Sequence, residues 1–526
     1  MSFVSWQFVA LMTTVVPLYW ALPWRGRIWL LLVASYVFYG CWDSRFLALI
    51  ATSTIIDFFC GLGMAGRREK AWKIFLFACM PGSWLLTSKW LFSNATVGNG
   101  VIIVAAIFPA FFTVVYQIMW RVPAGRQRLA FLLLSVGTNL GVLVFFKYFN
   151  FFAQTAAELL GALGWRPGWT LQHIILPVGI SFYTFQSISY SVSVYRGLTP
   201  ATDDLPTFAA YLSFFPQLVA GPIERSADLL PQMQRAAQWD VRHLHGGLTL
   251  ILVGCFKKIY VADNCALLAN FVFDAKTPLS AGWAVLGVLA FAFQIYGDFS
   301  GYTDIARGSA QLLGVRLSRN FAFPYFARTP SEFWQRWHMT LSSWFRDYVY
   351  IPLGGNRAGT FNTLRNLWIS MLLAGLWHGA NWTFVLWGAY YAALLSLYRV
   401  APGLNQLDKT EAPSAWRSAP AVTLMFLFTL IGWVIFRSRN LEQLSNWCLA
   451  LGHWQAPGLP GALKPSFWLI LHVTPLLLLQ YATRRERDEA RFGHFPWPAR
   501  AVVLVVLFLL AATTVSQNNE FIYFQF

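Results

Sequence analysis

Long apolar runs recur along almost the whole chain, and they constrain its fold more than any other feature. Many are about 17–25 residues long, enough to cross the ~30 Å hydrocarbon core of a bilayer as α-helices. Transmembrane β-strands would instead alternate apolar and polar residues over ~10 positions, whereas these runs are apolar on every face. Charged residues make up only 12% of the chain, about half the share in soluble proteins. The sequence therefore predicts an all-α, polytopic integral membrane protein and excludes a water-soluble enzyme.

The apolar runs predict about thirteen or fourteen membrane spans. The run 208–222 is short and contains Pro216, which is typical of a re-entrant segment rather than a span. The stretches 223–245 and 402–420 are predicted to be loops. No basic segment precedes the first run, so 3–22 is predicted to be a retained span rather than a cleaved signal. The other predicted spans are 28–42, 46–65, 74–94, 101–120, 129–153, 174–195, 246–262, 281–299, 364–378, 383–399, 421–436, 467–482 and 501–516.

The whole chain has a net charge of +17. In its first third, basic residues occur in alternate loops. They occupy 25–27, 67–73 and 121–128, while the loops between carry little net charge. The positive-inside rule places these basic loops in the cytoplasm and the N-terminus on the opposite side. The charge thus reflects topology, and no nucleic-acid partner is expected. The six cysteines never occur at C-x-x-C spacing, so neither a disulfide framework nor a metal site is predicted.

The segment 323–381 departs from the pattern of apolar spans. Thr329, Pro330 and Glu332 are typical of a helix start, with a cap, a first-turn proline and a capping-box carboxylate. The predicted helix runs to about Tyr350 and ends before Pro352. Its charged residues are too many for a lipid-facing span, so we expect it to lie at the interface or to line an enclosed cavity.

The apolar run after Arg365 contains one ionisable residue, His378. It lies about 20 Å along the predicted helix, at a depth where ionisable side chains are costly and often functional. An apolar pocket favours the neutral imidazole, the form that acts as a general base. Gly375 and Gly379 flank it and permit a helix break or a close approach.

Structural interpretations remain open for each of these residues. His378 could simply hydrogen-bond a neighbouring helix, and this applies more strongly to His338, which lies beside Trp334 and Trp337. The arginines of this region could cradle the phosphates of a nucleotide-bearing donor or supply ordinary cytoplasmic-side charge. They are Arg336, Arg346, Arg357 and Arg365.

Two carboxylates lie close to the apolar run 281–299. Asp304 and Arg307 are three residues apart, a spacing that brings two side chains together on a helix. We predict that they form a buried pair that joins helices, and that Asp298 is likewise structural.

Several long motifs resemble the membrane-bound O-acyltransferase family, in its bacterial branch. The resemblance extends from Leu129 to Arg437, and the N-terminal LLLVASYVFYGCW also fits. The matching motifs are FWQRWHMTLSSWFRDYVYIPLGGNR (333–357), LLAGLWHGANWTFVLWG (372–388), QIYGDFSGYTDIARG (294–308), SFFPQLVAGPIER (213–225), PVGISFYTFQSISYSVSVYRG (177–197), NLGVLVFFKYFNFF (139–152) and GWVIFR (432–437).

The resemblance implies a helical membrane fold around a central tunnel, with His378 as the catalytic residue and His338 as the second active-site histidine. It implies a catalytic core at 129–438 between N-terminal helices (1–128) and C-terminal helices (439–526). An additional pair of spans at 72–120 departs from the family pattern. The expected substrate-binding residues are Trp334, Arg336, Trp337, Arg346, Trp377 and Asn381.

The resemblance also implies the reaction and its surroundings. Acetyl-CoA would be the cytoplasmic donor substrate, with no bound cofactor, and the acetyl group would cross a bacterial inner membrane to modify an extracellular polysaccharide. A secreted, esterase-like (SGNH) partner and the polysaccharide synthesis machinery are the expected partners, with lipid around the helices. The alternatives are a D-alanyl transferase that uses a carrier-protein thioester, a structural subunit, and a transporter, although we find no internal repeat of the kind common in transporters.

Overall fold

The computed structural model describes residues 1–91, 99–165, 174–219, 221–275, 280–401, 403–404, 415–452, 459–492, 494–514 and 521–522. These residues are mostly helical and contain no strand. Seven helices among them are long and apolar enough to cross a membrane. The predicted all-α membrane architecture is therefore confirmed, whereas the higher count of spans stays a prediction. The seven are Ser44–Met64, Gly100–Met119, Ala124–Ala162, Val241–Phe273, Ala281–Leu312, Ser418–Arg437 and Lys464–Ala482.

The chain divides into two compact units. The first comprises Met1–Gly247 with Ser309–Leu317, and the second comprises Leu248–Gly308 with Ser318–Phe526. The division into 1–128, 129–438 and 439–526 stays a prediction. Helices of the first unit are α1 (Trp6–Ala21), α2 (Trp24–Gly40), α3 (Leu47–Met64), α4 (Ala71–Leu91), α5 (Asn99–Met119), α6 (Ala124–Ala162), α7 (Ile180–Tyr195), α8 (Leu205–Ser213), α9 (Phe215–Leu218), α10 (Ser226–Met233) and the start of α11 (Val241–Cys255).

Each span that the sequence predicts in the first unit overlaps a helix. The additional pair at 72–120 forms α4 and α5. The short run 208–222 forms α8 and α9, and neither α8 nor α9 is long enough to cross a bilayer. The predicted loop 223–245 is wrong in part, because it contains α10 and the start of α11. Asp228 in the first turn of α10 favours this helix, because an acidic side chain interacts well with the N-terminal end of the helix dipole.

The second unit contains all the residues of the predicted active site. The predicted loop 402–420 lies largely outside the described residues, although residues 415–420 begin a helix. The helices of this unit are the rest of α11, α12 (Asp263–Phe273), α13 (Ala281–Leu312) up to Gly308, α14 (Pro330–Arg336), α15 (Met339–Phe345), α16 (Gly359–His378), α17 (Trp382–Val400), α18 (Ala415–Arg437), α19 (Leu441–Gly452), α20 (Leu459–Ala482) and α21 (Trp497–Thr513).

A buried ion-pair cluster joins α13 to the segment between α11 and α12. That segment is a π-helix, Phe256–Ala262, and it carries Lys257 and Lys258. Lys257 pairs with Asp304, and Lys258 lies 2.9 Å from both Asp263 and Asp298. We call these five residues, together with Arg307, Asp488 and Glu489, the ion-pair cluster.

The predicted pair on α13 is confirmed. Nη1 of Arg307 lies 2.8 Å from Oδ1 of Asp304, and Asp304 is buried while Arg307 is largely so. Nη2 of Arg307 also pairs with Asp488 at 3.1 Å, in the segment between α20 and α21. Arg307 therefore connects α13 to that segment, which is the helix-joining role that the sequence predicted.

Helices α16 and α17 form a tight hairpin because glycines line their contact. A Cβ atom on Gly375 would lie 2.2 Å from the carbonyl oxygen of Phe384, and one on Gly388 would lie 2.5 Å from that of Met371. Small residues at such positions let two helix backbones approach closely inside a membrane. The hairpin places His378, the last residue before its turn, next to Phe436 of α18.

Candidate active site

His338 lies in a break between two short helices. Helix α14 begins as predicted. Thr329 caps it, the Thr329 hydroxyl accepts the N–H of Glu332 at 3.1 Å, and Pro330 is the first helical residue. Oε2 of Glu332 instead accepts the N–H of Arg328 at 2.7 Å, one residue before the cap. The predicted end is correct, because a π-helix, Arg346–Tyr350, continues α15 to Tyr350. The prediction of one unbroken helix is wrong, because α14 ends at Arg336 and α15 begins at Met339.

The break is fixed by a neighbouring segment that the sequence does not reveal. His338 has φ of 41°, in the left-handed region that non-glycine residues rarely adopt. Asn320 holds the start of α15, because its carbonyl oxygen accepts the N–H of Met339 at 2.9 Å and its side chain accepts the hydroxyl of Thr340 at 2.6 Å. Such strained residues concentrate at functional sites, where the surrounding structure compensates their cost.

The break buries the His338 side chain completely. Its ring lies 4.7 Å from that of Phe299 on α13 and 5.8 Å from that of Trp377 on α16. His338 belongs to none of the seven spanning helices, and burial lowers its pKa to about 3. The imidazole is therefore neutral near pH 7 and can exchange hydrogen bonds or a proton.

His378 is the last residue of α16. Gly379 follows in an extended conformation, which ends the helix as the flanking glycines permit. The imidazole is 4% exposed, and its ring lies 4.9 Å from that of Trp387 and 5.1 Å from that of Phe436. Helices α16, α17 and α18 therefore each contribute to an apolar surrounding for this histidine.

Trp377 links the two histidines. Its ring centroid lies 5.0 Å from that of His378 and 5.8 Å from that of His338. The structure thus brings both predicted catalytic residues into contact with the same buried indole. Spacing along the sequence could not show this, because His338 and His378 are on different helices.

Three further tryptophans place buried indole N–H groups around this centre. Trp334 packs 5.6 Å from Trp387, and Trp433 packs 4.8 Å from Trp337. The Nε1 atoms of Trp334, Trp387 and Trp433 are buried and have no hydrogen-bond partner among the described residues. Buried N–H groups are normally paired, so these donors are candidates for contacts with a bound substrate.

The remaining predicted substrate-binding residues lie in different surroundings. Trp337 is fully buried among aromatic rings, and Arg336 is buried with its guanidinium on Glu332. Arg346 is 63% exposed and pairs with Asp347 at 2.8 Å. Asn381 caps α17 by accepting the N–H of Thr383, and its amide donates to the carbonyl oxygen of Arg439 at 2.7 Å. Their roles toward a substrate stay predictions.

A polar pocket of about 550 Å³ opens beside His378. Phe384 and Phe436, which contact the His378 ring, form part of its wall. We call it the α16–α17 pocket. It is lined by Asn270, Asp274, Gly379, Ala380, Asn381, Phe384, Phe436, Arg437, Ser438 and Arg439.

Sequence reasoning missed several residues of this site. Phe384, Trp387 and Phe436 surround His378, and Asp274 and Arg437 line the pocket. Phe436 and Arg437 lie in GWVIFR, which is one of the motifs quoted above, but the sequence assigns neither residue a role in the site. Nothing in the sequence pointed to Asp274. Among the described residues no group of three His, Cys, Asp or Glu side chains is arranged to hold a metal ion.

Comparisons with known proteins identify a family for this chain. The sequence profile of the membrane-bound O-acyltransferase (MBOAT) family matches residues 200–436, which include both histidines. The chain is 39% identical over 474 residues to a Pseudomonas putida protein named "Probable alginate O-acetylase AlgI", covering 89% of this chain and 84% of that protein.

More distant relatives act on cell-wall polymers, according to their names. A Helicobacter pylori "Peptidoglycan O-acetyltransferase" is 32% identical over 449 residues, covering 80% of this chain and 72% of that protein. A Bacillus subtilis "Teichoic acid D-alanyltransferase" is 27% identical over 288 residues, covering 52% and 71%. With the helical membrane fold and the two buried histidines, these similarities establish that the chain belongs to the membrane-bound O-acyltransferase family and is an O-acyltransferase.

Proposed function

We propose that this O-acyltransferase moves an acetyl group from cytoplasmic acetyl-CoA across the bacterial inner membrane, for O-acetylation of an extracellular polysaccharide. His378 acts as the general base. The observation that carries the proposal is the pair of surroundings near His378: an aromatic cluster that includes Trp387, and the polar α16–α17 pocket, whose wall includes the Phe384 and Phe436 rings that contact His378. The first surrounding suits a thioester, and the second suits a hydroxyl-bearing acceptor.

The transfer balances without a bound cofactor. His378 takes the proton of the acceptor hydroxyl as its oxygen attacks the thioester carbonyl carbon. The tetrahedral intermediate then collapses, the C–S bond breaks, and the imidazolium returns the proton to the departing CoA thiolate. General-base catalysis of this kind contributes ~10²–10⁴-fold. The buried tryptophans limit water around the thioester and so reduce its hydrolysis.

His338 and the indole donors stabilise the reacting carbonyl in this proposal. The developing negative charge needs hydrogen-bond donors placed in advance. Trp377 contacts both imidazole rings, so His338 is held one indole away from the base. The buried N–H groups of Trp334 and Trp387 are further donors on the same aromatic cluster.

The charge distribution of the second unit supports a cytoplasmic donor. The segment between α20 and α21 carries four arginines, whereas the turn between α16 and α17, residues 379–381, carries no Lys or Arg. Arg307, near the C-terminal end of α13, contacts the first segment. Asn270 and Asp274, just before α13, lie beside the turn in the pocket. The pocket itself is lined by two arginines, Arg437 and Arg439, against the four of that segment. By the positive-inside rule we infer that the pocket faces the periplasm, and the N-terminus of the chain is proposed to lie there as well.

An esterase-like periplasmic partner and the polysaccharide synthesis machinery complete the proposal. The acetyl group would pass from the α16–α17 pocket to the polymer directly or through that partner. This follows the names of the alginate and peptidoglycan acetylating relatives.

D-alanyl transfer from a carrier-protein thioester is the second candidate. It is supported by similarity to the teichoic acid D-alanyltransferase of Bacillus subtilis, and the same histidine would serve. That similarity covers 52% of the chain, compared with 89% for the alginate acetylase, so acetyl transfer is favoured.

The test compares two buried histidines of the second unit. In cells whose own copy is deleted, the His378→Ala variant is expected to lose nearly all O-acetyl groups of the exopolysaccharide. The matched control is His472→Ala. His472 is also buried, but it packs on Trp468 of α20 and on Tyr260 of the π-helix Phe256–Ala262. Immunoblots of the membrane fraction verify equal protein levels.

Normal acetylation by the His378→Ala variant at a normal protein level would refute the catalytic assignment. The donor is tested separately with purified protein. Release of free CoA from acetyl-CoA should require His378 and an acceptor, whereas a D-alanyl carrier-protein thioester should remain intact. Consumption of the carrier thioester alone would instead establish the second candidate.

A further inference from the structure

A buried carboxyl lies inside the membrane-spanning part of the first unit. Asp57 is on α3, seven residues before Met64, where the span Ser44–Met64 ends. At ~1.5 Å per residue, the carboxyl lies about 10 Å inside that end of the span. Its side chain is fully buried. An ionisable group at such a depth is costly to keep charged and is often functional.

The hydrogen bonds of Asp57 all involve one of its two oxygens. Oδ1 accepts the hydroxyl of Ser135 at 2.6 Å and the amide of Asn139 at 2.8 Å, both from α6. Because the Ser135 proton is used in this bond, the hydroxyl of Ser191 on α7 donates to Oγ of Ser135 at 2.7 Å. Oδ2 of Asp57 has no hydrogen-bond partner among the described residues. The two oxygens are therefore in unequal surroundings, as the two oxygens of a neutral carboxylic acid are.

No cation compensates a charge on Asp57 within the described part of the chain. Helices α2, α4, α6, α7 and α8 pack against α3, but in the described ranges none of them places a Lys, Arg or His side chain against the carboxyl. The titratable groups that face it are the Cys60 thiol of α3 and the Tyr190 hydroxyl of α7, which are uncharged at neutral pH. An isolated carboxylate is expensive to bury, so such a group takes up a proton instead.

The hydroxyl of Ser187 is placed to accept a hydrogen bond from that proton. Ser187 lies on α7, faces the Asp57 carboxyl and is fully buried. Its Oγ also has no hydrogen-bond partner among the described residues. A serine Oγ has two lone pairs, so it can accept from a carboxylic acid. One proton on Oδ2 would therefore satisfy both atoms and connect α3 to α7.

We propose that Asp57 is a proton-binding site in the membrane interior of the first unit. The proton is bound to Oδ2 and is donated to Ser187, while Oδ1 accepts from Ser135 and Asn139. One neutral carboxyl thus joins α3 to α6 and α7. Release of the proton would leave an uncompensated charge between these three helices, so their packing weakens as the pH rises. This inference does not depend on the proposed acetyl transfer.

Infrared spectroscopy of the purified full chain in detergent detects the proton directly. A protonated carboxyl has a C=O stretching band that is separate from carboxylate and amide bands and shifts in D₂O. The wild type is expected to show this band at pH 7, and Asp57→Asn to lose it. Asp43→Asn is the control and should keep the band, because Asp43 pairs with Arg45 at 2.6 Å and is ionised. Ser187→Ala should shift the band without removing it, which assigns the band to Asp57 even if Asp57→Asn fails to fold.

Thermal unfolding in detergent is a second readout. Asp57 is ionised in the unfolded chain above about pH 4, whereas the folded chain keeps the proton. The unfolding equilibrium constant of the wild type should therefore rise by up to about tenfold per pH unit from this group. Asp57→Asn lacks this contribution, so its Tm should rise relative to that of the wild type between about pH 5 and pH 8. Asp43→Asn should show no such relative rise.

Several results would overturn the proposal. These are a wild type without the band, a band that is unchanged in both Asp57→Asn and Ser187→Ala, and a difference in Tm between Asp57→Asn and the wild type that does not change with pH. A sodium ion in place of the proton would also overturn it. In that case the wild type lacks the band, and NaCl raises its Tm more than KCl at equal concentration does, an effect that Asp57→Asn should lose.

Discussion

The ion-pair cluster around Lys257 and the aromatic site around His378 are both buried in the second unit, but they differ in how their polar atoms are partnered. In the cluster, Lys257 faces Asp304 and Glu489, and Lys258 faces Asp263 and Asp298. In the aromatic site, buried indole N–H groups have no partner among the described residues. The cluster is held together by pairs of opposite charges, whereas the aromatic site keeps several neutral donors that a ligand can use.

This difference indicates which substitutions should affect the stability of the protein and which should affect its activity. A charge removed from the cluster leaves its partner buried and uncompensated, which is expensive for folding. A group removed from the aromatic site deprives the substrate rather than the protein of a partner. Variants in the two regions should therefore have opposite effects on unfolding and on turnover.

The largest effect is expected for His378→Asn in the aromatic site. Asparagine keeps a polar side chain but cannot accept the proton, so the transfer rate should fall ~10²–10⁴-fold. The thermal midpoint should stay close to that of the wild type. Turnover of acetyl-CoA and thermal unfolding in detergent are the two measurements. A rate that falls only in proportion to lost folded protein would place His378 with the structural residues.

Lys257→Met should have the reverse effect. The substitution removes the buried cation that Glu489 faces and one of the two that Asp304 faces, since Asp304 keeps Arg307. It is expected to lower the free energy of unfolding by about 3 kcal/mol. The folded fraction should keep much of its specific activity. Arg242→Gln is the control, since the Arg242–Asp240 pair lies at the surface and is expected to contribute little to stability. Equal stability of the two variants would contradict the role of the cluster.

Local sequence rules predicted part of these regions correctly. The Thr329 cap and the Asp304–Arg307 pair depend on residues three positions apart, and both are present. The break before His338 could not be predicted, because Asn320 fixes it from outside the helix. The helical pattern of the sequence continues across His338, whereas the structure has a break there.

Long-range partners explain the other omissions. Lys257 and Lys258 belong to an apolar run, but their carboxylates lie on distant segments, up to Glu489. Likewise Arg437 becomes notable only beside Asp274, more than a hundred residues earlier. The two catalytic candidates, by contrast, were found from long motifs in which each histidine has a fixed neighbourhood.

The titration of His338 gives a smaller, pH-dependent effect. Burial lowers its pKa from 6.5 to about 3, so the unfolded chain binds a proton that the folded chain does not. The stabilising contribution of neutral His338 is complete above pH 6.5 and is lost as the pH falls toward 3, by up to about 1.4 kcal/mol per pH unit. His338→Asn should lose stability less steeply than the wild type between about pH 6 and pH 4. Identical slopes would mean that His338 can charge within the fold.

The smallest effect tests the indole donors directly. Trp387→Phe removes a buried N–H that has no partner among the described residues, so kcat/KM should fall up to ~10-fold if that N–H binds the substrate. The control is Trp84→Phe, because the Trp84 indole donates to the carbonyl oxygen of Ser44 at 2.7 Å. That variant loses a hydrogen bond already made, so it should cost about 1 kcal/mol more stability than Trp387→Phe and leave kcat/KM unchanged. If Trp387→Phe lowers stability as much as Trp84→Phe without affecting turnover, its N–H is structural and the contrast between the two regions weakens.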